Sequence, residues 1–226
     1  FVCTEKSYER VIKMGAEKSN VYNFGCPAMD ILVKEDLSFS NYLMKKYRGV
    51  GHEMDWEKPY ILIMQHPVTT SYGQGYFQIN NTLNAAKEIK NMQKVVLWPN
   101  IDAGSDDVSK GIRNFRENNS NEKFNYQKNF SPEDYARVLS NAKCCVGNSS
   151  SFIREGSFLG IPCVLIGDRQ KGREHGENVI FSGYEGDLIT KKIKYQLSSK
   201  VFKKSQLFGK GNAGLLIADK ISKLKL

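Results

Sequence analysis

Short runs of consecutive apolar residues alternate along the chain with longer segments in which apolar residues are spaced among polar ones. An uninterrupted apolar run is typical of a strand that is buried on both faces of a sheet, whereas the longer, interrupted pattern is typical of a helix. The runs predict strands at 60–64, 94–98, 124–127, 144–146 and 162–166. The interrupted segments predict helices at 76–92, 106–118, 132–141, 151–159 and 213–224.

The alternation of strands and helices, with short connections, predicts an α/β fold with a parallel sheet that helices cover on both faces. One helix start is marked clearly, because Ser131 can cap the helix, Pro132 takes its first position, and the acidic Glu133 and Asp134 follow in its first turn. The polar stretch 49–57 is predicted to be a loop. Ligands of such sheets bind beside the carboxyl ends of the strands, so the residues that follow each strand are the first candidates for a site.

Size and composition fit a soluble globular protein. The chain has 226 residues, of which 40% are hydrophobic and 25% charged, and it is long enough for one large domain or one domain with an appendage. No apolar run approaches the roughly 18 residues of a transmembrane helix. The opening FVCTEKSYER lacks an initiator methionine and the features of a signal peptide, so we expect a cytoplasmic protein whose sequence starts within a longer chain.

Charge and cysteine content argue against nucleic acid and metal as partners. The net charge of +9 favours anionic ligands in general, but the lysines are scattered and form no basic stripe with aromatic residues, which favours a solvated surface. The cysteines are odd in number and contain no C-x-x-C pair, so we predict free and mostly buried thiols and no zinc site. They are Cys3, Cys26, Cys144, Cys145 and Cys163.

The segment GNSSSFIREGSF at 147–158 offers more hydrogen-bonding capacity than a connection between strand and helix needs. A helix N-terminus presents free N–H groups and a partial positive charge of about half a unit. Ser149, Ser150 and Ser151 add hydroxyl donors, so the turn is a candidate cradle for phosphate or pyrophosphate. Glu155, one helical turn later, is a candidate partner for ribose hydroxyls. A serine cap with two spare serines and an exposed glutamate is an equally good reading of this turn alone.

The loop GDRQKGREHG at 167–176 follows the next predicted strand and therefore belongs to the same edge of the sheet. The planar guanidinium groups of Arg169 and Arg173 can pair with phosphate oxygens. A solvent-exposed charged loop is the ordinary alternative. An arginine-rich strand end beside a hydroxyl-rich one favours the phosphate interpretation.

Two further strand ends carry polar candidates. His66 follows the first predicted strand and precedes a proline, which holds it extended. Near a diphosphate, a protonated imidazole could balance charge as a leaving group departs. Asn100, Asp102 and Ser105 follow the second strand and could contact sugar or phosphate, although turn formation and helix capping account for them nearly as well.

Six motifs occur in order along the chain, namely QHPVTT, PNIDAGS, SPEDY, GNSSSFIREGSFLGIP, GDRQKGREHGENV and GKGNA. Together they strongly resemble the UDP-N-acetylglucosamine 2-epimerase family, and the loop GDRQKGREHGENV resembles its hydrolysing branch. The resemblance implies a GT-B-like enzyme with two Rossmann-like halves, in which this chain is similar to the C-terminal, UDP-binding half. Residues 1–25 would then be the tail of the missing N-terminal half and the crossover, and 26–226 the UDP-binding domain. The last helix, at 213–224, would pack back toward the missing half.

The resemblance also implies roles for single residues. Ser149 and Ser150 would hold the diphosphate, Glu155 would hold the ribose, Arg169 would line the UDP site, and His66 would be a catalytic residue near the phosphate. The segment around Phe130 would border uracil, through its backbone more than its side chain. Further candidates for binding are Asn100, Asp102, Asn148 and Arg173.

The implied reaction converts UDP-N-acetylglucosamine and water to N-acetylmannosamine and UDP, through a glycal, for sialic or nonulosonic acid synthesis. The resemblance implies a homo-oligomer. It implies no metal, cofactor or nucleic acid. The carboxylates that transfer protons at the sugar lie mainly in the missing half, so we expect the isolated chain to bind UDP without turnover.

Three questions stay open. A glycosyltransferase donor domain of the same architecture is one alternative function. A non-catalytic module that binds a phosphorylated ligand or nucleic acid is another. The sugar could also be a 2,4-diacetamido-trideoxy hexose in place of N-acetylglucosamine.

Overall fold

The computed structural model describes residues 1–39, 43, 46–199 and 202–224. Within these ranges the central sheet has seven strands in the order β1-β4-β3-β2-β5-β6-β7. The strands are β1 Val50–Gly51, β2 Tyr60–Met64, β3 Gln93–Leu97, β4 Phe124–Gln127, β5 Cys144–Gly147, β6 Cys163–Ile166 and β7 Val179–Ser182. Strands β2 to β7 pair in parallel, and the two-residue β1 pairs antiparallel with β4 at the edge. The strand order reverses between β2 and β5, which is the switch point of a doubly wound sheet.

Helices connect these strands and precede and follow the sheet. They are α1 Glu5–Lys13, α2 Ala28–Lys34, α3 Gly75–Lys87, α4 Ser105–Asn118, α5 Pro132–Asn141, α6 Ser150–Ile153, α7 Glu155–Leu159, α8 Gly186–Ser198 and α9 Ala213–Ser222. None of the helices in the described ranges is long and apolar enough to span a bilayer.

The core lies on both faces of the sheet because successive strand residues point to opposite sides. On one face, Ile61 and Ile63 of β2 belong to the same buried cluster as residues of α3, α4 and α8. On the other face, Leu62 shares a buried cluster with Leu139 of α5 and Phe152 of α6. The predicted parallel sheet with helices on both faces is therefore confirmed.

Helix α5 begins as its sequence predicts, and its first turn also forms a buried charge cluster. The Ser131 hydroxyl accepts a hydrogen bond from the Asp134 backbone N–H at 3.3 Å. The Asp134 carboxylate accepts from Lys46 at 2.7 Å, from the Tyr47 hydroxyl at 2.8 Å and from Arg137 at 2.9 Å. Burial acts to raise the pKa of Asp134, but these donors and the Ser131 hydroxyl outweigh it and lower the pKa to about 2.

The segment that precedes the sheet forms hydrogen bonds with residues near both ends of the chain. A parallel bridge joins Val2 to Asn23. The Asp30 carboxylate of α2 accepts hydrogen bonds from the backbone N–H groups of Ala213 and Gly214, at 3.0 and 2.8 Å, and so caps α9. Beyond this cap α9 is largely exposed.

The five predicted strands are all present, each within one residue of its predicted bounds at either end. Two helices differ from the prediction. The helix predicted at 76–92 ends at Lys87, and the helix predicted at 151–159 is interrupted at Arg154, which separates α6 from α7. The predicted loop 49–57 contains the short strand β1. The apolar pattern did not predict α1, α2, β7 or α8. Strand β7 is half-exposed at an edge, so it carries no fully apolar run.

The cysteines are packed in the core as predicted. Cys26, Cys144, Cys145 and Cys163 are buried, and Cys3 is half-buried. Burial raises the pKa of the Cys144 thiol to about 12. These thiols therefore act as small apolar side chains.

Candidate functional site

A cavity of about 640 Å³ opens at the carboxyl edge of the sheet, beside the switch point between β2 and β5. The residues that follow β2, β3, β4, β5 and β6 all contribute to its wall. The lining residues are Met64, His66, Leu97, Trp98, Pro99, Asn100, Ile101, Lys128, Asn129, Tyr135, Ser149, Ser150, Ser151, Arg154 and Arg169. Six of the predicted site residues thus meet in one cavity, namely His66, Asn100, Ser149, Ser150, Ser151 and Arg169.

The turn after β5 brings two strand ends into close contact. Gly147 has a φ of 139° and approaches β2 so closely that an added Cβ would collide with the Met64 carbonyl oxygen. Asn148 follows and is fully buried. Its side chain accepts from the His66 backbone N–H at 2.7 Å and donates to the His66 carbonyl at 2.8 Å, while its own carbonyl accepts from Gln170 at 2.9 Å. Asn148 therefore joins three loops and is not among the residues that line the cavity.

The surroundings of His66 determine its protonation. The Asn100 backbone N–H donates to Nδ1 of His66 at 3.1 Å, so in the neutral ring the proton sits on Nε2. Burial first, and then the nearby Arg169 charge, lower the pKa of His66 to about 4, while Asp102 acts in the opposite direction. In the chain without nucleotide the imidazole is therefore uncharged at neutral pH. The expectation of a protonated ring concerned its state beside a diphosphate and stays a prediction.

Hydroxyl groups line the cavity after β5. The Ser149 hydroxyl accepts from the Ser151 backbone N–H at 3.3 Å and lies 3.0 Å from the Ser151 hydroxyl. The Ser151 hydroxyl lies 2.6 Å from the hydroxyl of Tyr135, on α5. Ser150 also lines the cavity and is more exposed. Helix α6 has only four residues, so these side chains, more than a helix dipole, give the turn its polarity.

Two charged side chains, Arg154 and Glu155, meet at the interruption between α6 and α7. Arg154 lines the cavity, whereas Glu155 is not among the lining residues and its side chain is only 12% exposed. Nε of Arg154 lies 3.5 Å from Oε2 of Glu155, and both of these buried atoms lack a hydrogen-bond partner. Burial raises the pKa of Glu155, and the Arg154 charge partly offsets this rise. The alternative that Glu155 is an exposed helix residue is therefore excluded.

Three cationic side chains surround the hydroxyl groups. Arg169 enters after β6 and donates to the Asp102 carboxylate at 3.2 Å, which links the loops after β3 and β6. Lys128 enters after β4, and Arg154 from the break between α6 and α7. Guanidinium and ammonium groups beside hydroxyl donors form a suitable environment for a phosphorylated ligand.

Three other predicted residues lie away from the cavity. The Phe130 ring is buried and packs edge-on against Tyr47, with 4.6 Å between ring centroids. Arg173 lines a second cleft of about 750 Å³ beside α1, together with Lys6 and His175. Ser105 begins α4 and is not among the lining residues.

The lining residues that the sequence interpretation missed include Trp98, Lys128, Tyr135 and Arg154. Trp98 and Lys128 directly follow β3 and β4, so the rule that ligands bind at strand ends could have found them. Arg154 lies within the segment already singled out. Tyr135 carries no such signal, because its position at the cavity depends on how α5 packs.

The sequence profile described as UDP-N-acetylglucosamine 2-epimerase matches residues 1–222. The chain belongs to the UDP-N-acetylglucosamine 2-epimerase family. Membership confirms the resemblance that the motifs suggested, and it covers nearly the whole chain.

Two curated members of the family are similar over part of their length. The GDP/UDP-N,N'-diacetylbacillosamine 2-epimerase (hydrolyzing) of Campylobacter jejuni is 32% identical over 182 residues, which are 80% of this chain and 46% of the relative. The UDP-N-acetylglucosamine 2-epimerase of Neisseria meningitidis is 28% identical over 217 residues, which are 93% of this chain and 53% of the relative. The chain thus spans about half the length of these relatives.

Solved structures of the family share the fold. The UDP-GlcNAc 2-epimerase from Neisseria meningitidis, bound to UDP-GlcNAc, superposes with a TM-score of 0.74 at 17% identity. The match covers 99% of this chain and 61% of that one. These neighbours have the GT-B fold, so the predicted fold class is confirmed.

Proposed function

We propose that this chain is the UDP-binding half of a hydrolysing UDP-sugar 2-epimerase. The whole protein would convert UDP-N-acetylglucosamine and water to N-acetylmannosamine and UDP. The observation that carries the proposal is the cavity at the switch point, which combines three cations with a cluster of hydroxyl groups in a chain of this family.

The diphosphate is assigned to the hydroxyl side of the cavity. Ser149 and Ser150 supply donors, and Arg154, Arg169 and Lys128 supply positive charge. Charge-assisted hydrogen bonds to phosphate oxygens are about twice as strong as neutral ones, so this side should contribute most of the affinity.

The ribose of the uridine is assigned to the carboxylate of Glu155, and the uracil to the backbone near Phe130. Oε2 of Glu155 is buried without a hydrogen-bond partner next to the lining residue Arg154. We assign this carboxylate to the ribose hydroxyls, which it would reach once its side chain turns toward the cavity. The backbone near Phe130, next to the lining residues Lys128 and Asn129, would border uracil.

His66 is assigned the role of a neutral donor. Its Nε2–H is free to donate, because Nδ1 is occupied by the Asn100 backbone. As UDP leaves the sugar, negative charge develops on the diphosphate oxygens. A donor that is already oriented stabilises this charge without a change in its own protonation.

Titration calorimetry with UDP tests the site directly. Ser149→Ala and Arg169→Gln should each weaken UDP binding by about tenfold, since each removes one charge-assisted contact. Ser120→Ala, which changes an exposed serine outside the cavity, should leave affinity unchanged. The proposal is wrong if the unmodified chain binds no UDP, or if all three variants bind it equally well.

The sugar requires an assay of the whole protein. The Campylobacter jejuni relative is named for N,N'-diacetylbacillosamine and the Neisseria meningitidis one for N-acetylglucosamine. We propose N-acetylglucosamine, and we expect faster UDP release from UDP-N-acetylglucosamine than from the 2,4-diacetamido-trideoxy sugar nucleotide. The opposite preference would reassign the substrate and leave the UDP site intact.

A further inference from the structure

Three hydroxyl groups of residues that line the cavity form a continuous chain. The Tyr135 hydroxyl lies 2.6 Å from that of Ser151, which lies 3.0 Å from that of Ser149. Tyr135 comes from α5, whereas both serines belong to the turn after β5. The chain therefore couples a helix on one face of the sheet to the segment that we assign to the diphosphate.

The direction of the hydrogen bonds follows from the chemistry of the three groups. A phenol is a stronger acid than an aliphatic alcohol, so Tyr135 is the better donor at the 2.6 Å contact. Ser151 then donates to Ser149. The Ser149 oxygen also accepts from the Ser151 backbone N–H, at 3.3 Å.

This direction uses both lone pairs of the Ser149 oxygen. Its only remaining hydrogen-bonding capacity is its own proton, and Ser149 lines the cavity. In the opposite direction, Ser149 would spend its proton on Ser151 and could offer an anion nothing. Hydroxyl groups in such a chain polarise one another, so the terminal donor is strengthened.

We propose that Tyr135 is a positioning residue which, through Ser151, orients the Ser149 hydroxyl as a donor toward the phosphate of the nucleotide. This inference rests on the proposed function, since it takes the diphosphate as the ligand at Ser149. Tyr135 would then contribute to phosphate binding through two other hydroxyl groups. Its effect on binding affinity should therefore depend on the phosphates of the nucleotide and not on the uridine.

Tyr135→Phe removes one oxygen atom and keeps the ring. We expect UDP affinity, measured by calorimetry, to fall about 2- to 10-fold, the range of one hydrogen bond. Affinity for uridine, measured by ligand-observed NMR, should stay the same because uridine has no phosphate. Tyr126→Phe is the matched control. It also removes a buried phenolic oxygen, but one without a partner, so both affinities should remain those of the unmodified chain.

Ser151→Ala provides a second, independent test of the same chain. It should weaken UDP binding as well, and adding Tyr135→Phe to it should cause no further loss, because the link that Tyr135 uses is already gone. Thermal melts check that each variant is folded.

The outcomes separate this inference from the function beneath it. If the unmodified chain does not bind UDP, both are wrong. If it does bind UDP but Tyr135→Phe leaves that affinity unchanged, or weakens uridine and UDP binding alike, only the positioning role is wrong. Additive losses in the Tyr135→Phe and Ser151→Ala double variant would also overturn it.

Discussion

At the scale of single residues, the chemistry of the cavity depends on contacts that fix protonation and orientation. The Asn100 backbone N–H selects the tautomer of His66, and the side chain of Asn148 holds the His66 backbone on both sides. The neutral imidazole of His66 should differ from that of a free histidine in the pH at which it takes up a proton, and this difference affects the pH dependence of stability.

The first prediction concerns the pH dependence of stability. The pKa of His66 is about 4 in the folded chain, against 6.5 for an unperturbed histidine. Between these values the unfolded chain binds a proton that the folded chain does not, so stability falls as pH falls. We expect the free energy of unfolding in urea to drop by up to about 2 kcal/mol from pH 7 to pH 5 because of His66 alone.

The His66→Gln variant removes this titration and should lose correspondingly less stability over the same pH range. His175→Gln, at an exposed position, is the control and should keep the pH dependence of the unmodified chain. Equal slopes for the His66→Gln variant and the unmodified chain would show that His66 titrates normally.

The second prediction concerns the backbone at Gly147. Its φ of 139° disfavours any side chain, and an added Cβ would collide with the Met64 carbonyl oxygen. Gly147→Ala should therefore cost at least about 3 kcal/mol in urea unfolding. Gly172 also has a positive φ, of 76°, but a Cβ added there would have no atom within 4 Å. Gly172→Ala should therefore lower the free energy of unfolding by only about 1 kcal/mol. Similar costs at both positions would mean that the close approach of β5 to β2 is not enforced there.

At the scale of elements, the hydrophobic pattern predicted the central strands and missed the peripheral elements. Buried parallel strands are continuous apolar runs, and their carboxyl ends bring His66 and Ser149 together by topology alone. The rule that ligands bind at strand ends predicted both Arg169 and Arg173 as site residues, because both follow β6. Arg169 lines the cavity, whereas Arg173 lines another cleft. The contacts of Tyr135 and Asn148 join residues 16 and 82 positions apart, and such pairings depend on packing that local pattern does not encode.

The third prediction tests the charge cluster at the start of α5. Asp134 is only 2% exposed and accepts from Lys46, Tyr47, Ser131 and Arg137. Asp134→Asn leaves these donors without their carboxylate, so we expect a loss of about 2–4 kcal/mol in urea unfolding at pH 7.

The matched control for this prediction is Asp106→Asn, the same change in the first turn of α4, where the side chain is exposed. It should cost less than about 1 kcal/mol. The pKa of Asp134 is lowered to about 2, so its contribution is present above the normal range of aspartate and is lost as pH falls toward 2. A cost at Asp134 no larger than at Asp106 would mean that the cluster adds nothing to stability.

At the scale of the whole molecule, the chain corresponds to about half of its curated relatives and carries large exposed apolar side chains outside the cavity. Phe1 and Met14 on the opening segment are 51% and 85% exposed, and Leu215 on α9 is 66% exposed. Exposed apolar side chains of this kind mark candidate surfaces for docking of the rest of the protein, which stays a prediction.

The last prediction is that the 226-residue chain binds UDP but releases no N-acetylmannosamine from UDP-N-acetylglucosamine. Changing the configuration at carbon 2 requires a group that removes and returns protons, and carboxylates commonly serve in this role. The described residues that line the cavity include no carboxylate. Of the carboxylates near the cavity, Asp102 pairs with Arg169, and Glu155 is the one that we assign to the ribose hydroxyls.

Product release is measured by chromatography after long incubation at a substrate concentration that saturates UDP-site binding. N-acetylmannosamine added at known concentrations shows that the assay would detect turnover. N-acetylmannosamine formed in proportion to the concentration of this chain, and abolished by His66→Gln, would contradict the prediction. It would mean that groups of this half alone complete the proton transfers, with Glu155 the first to examine because its pKa is raised by burial and it lies beside the cavity.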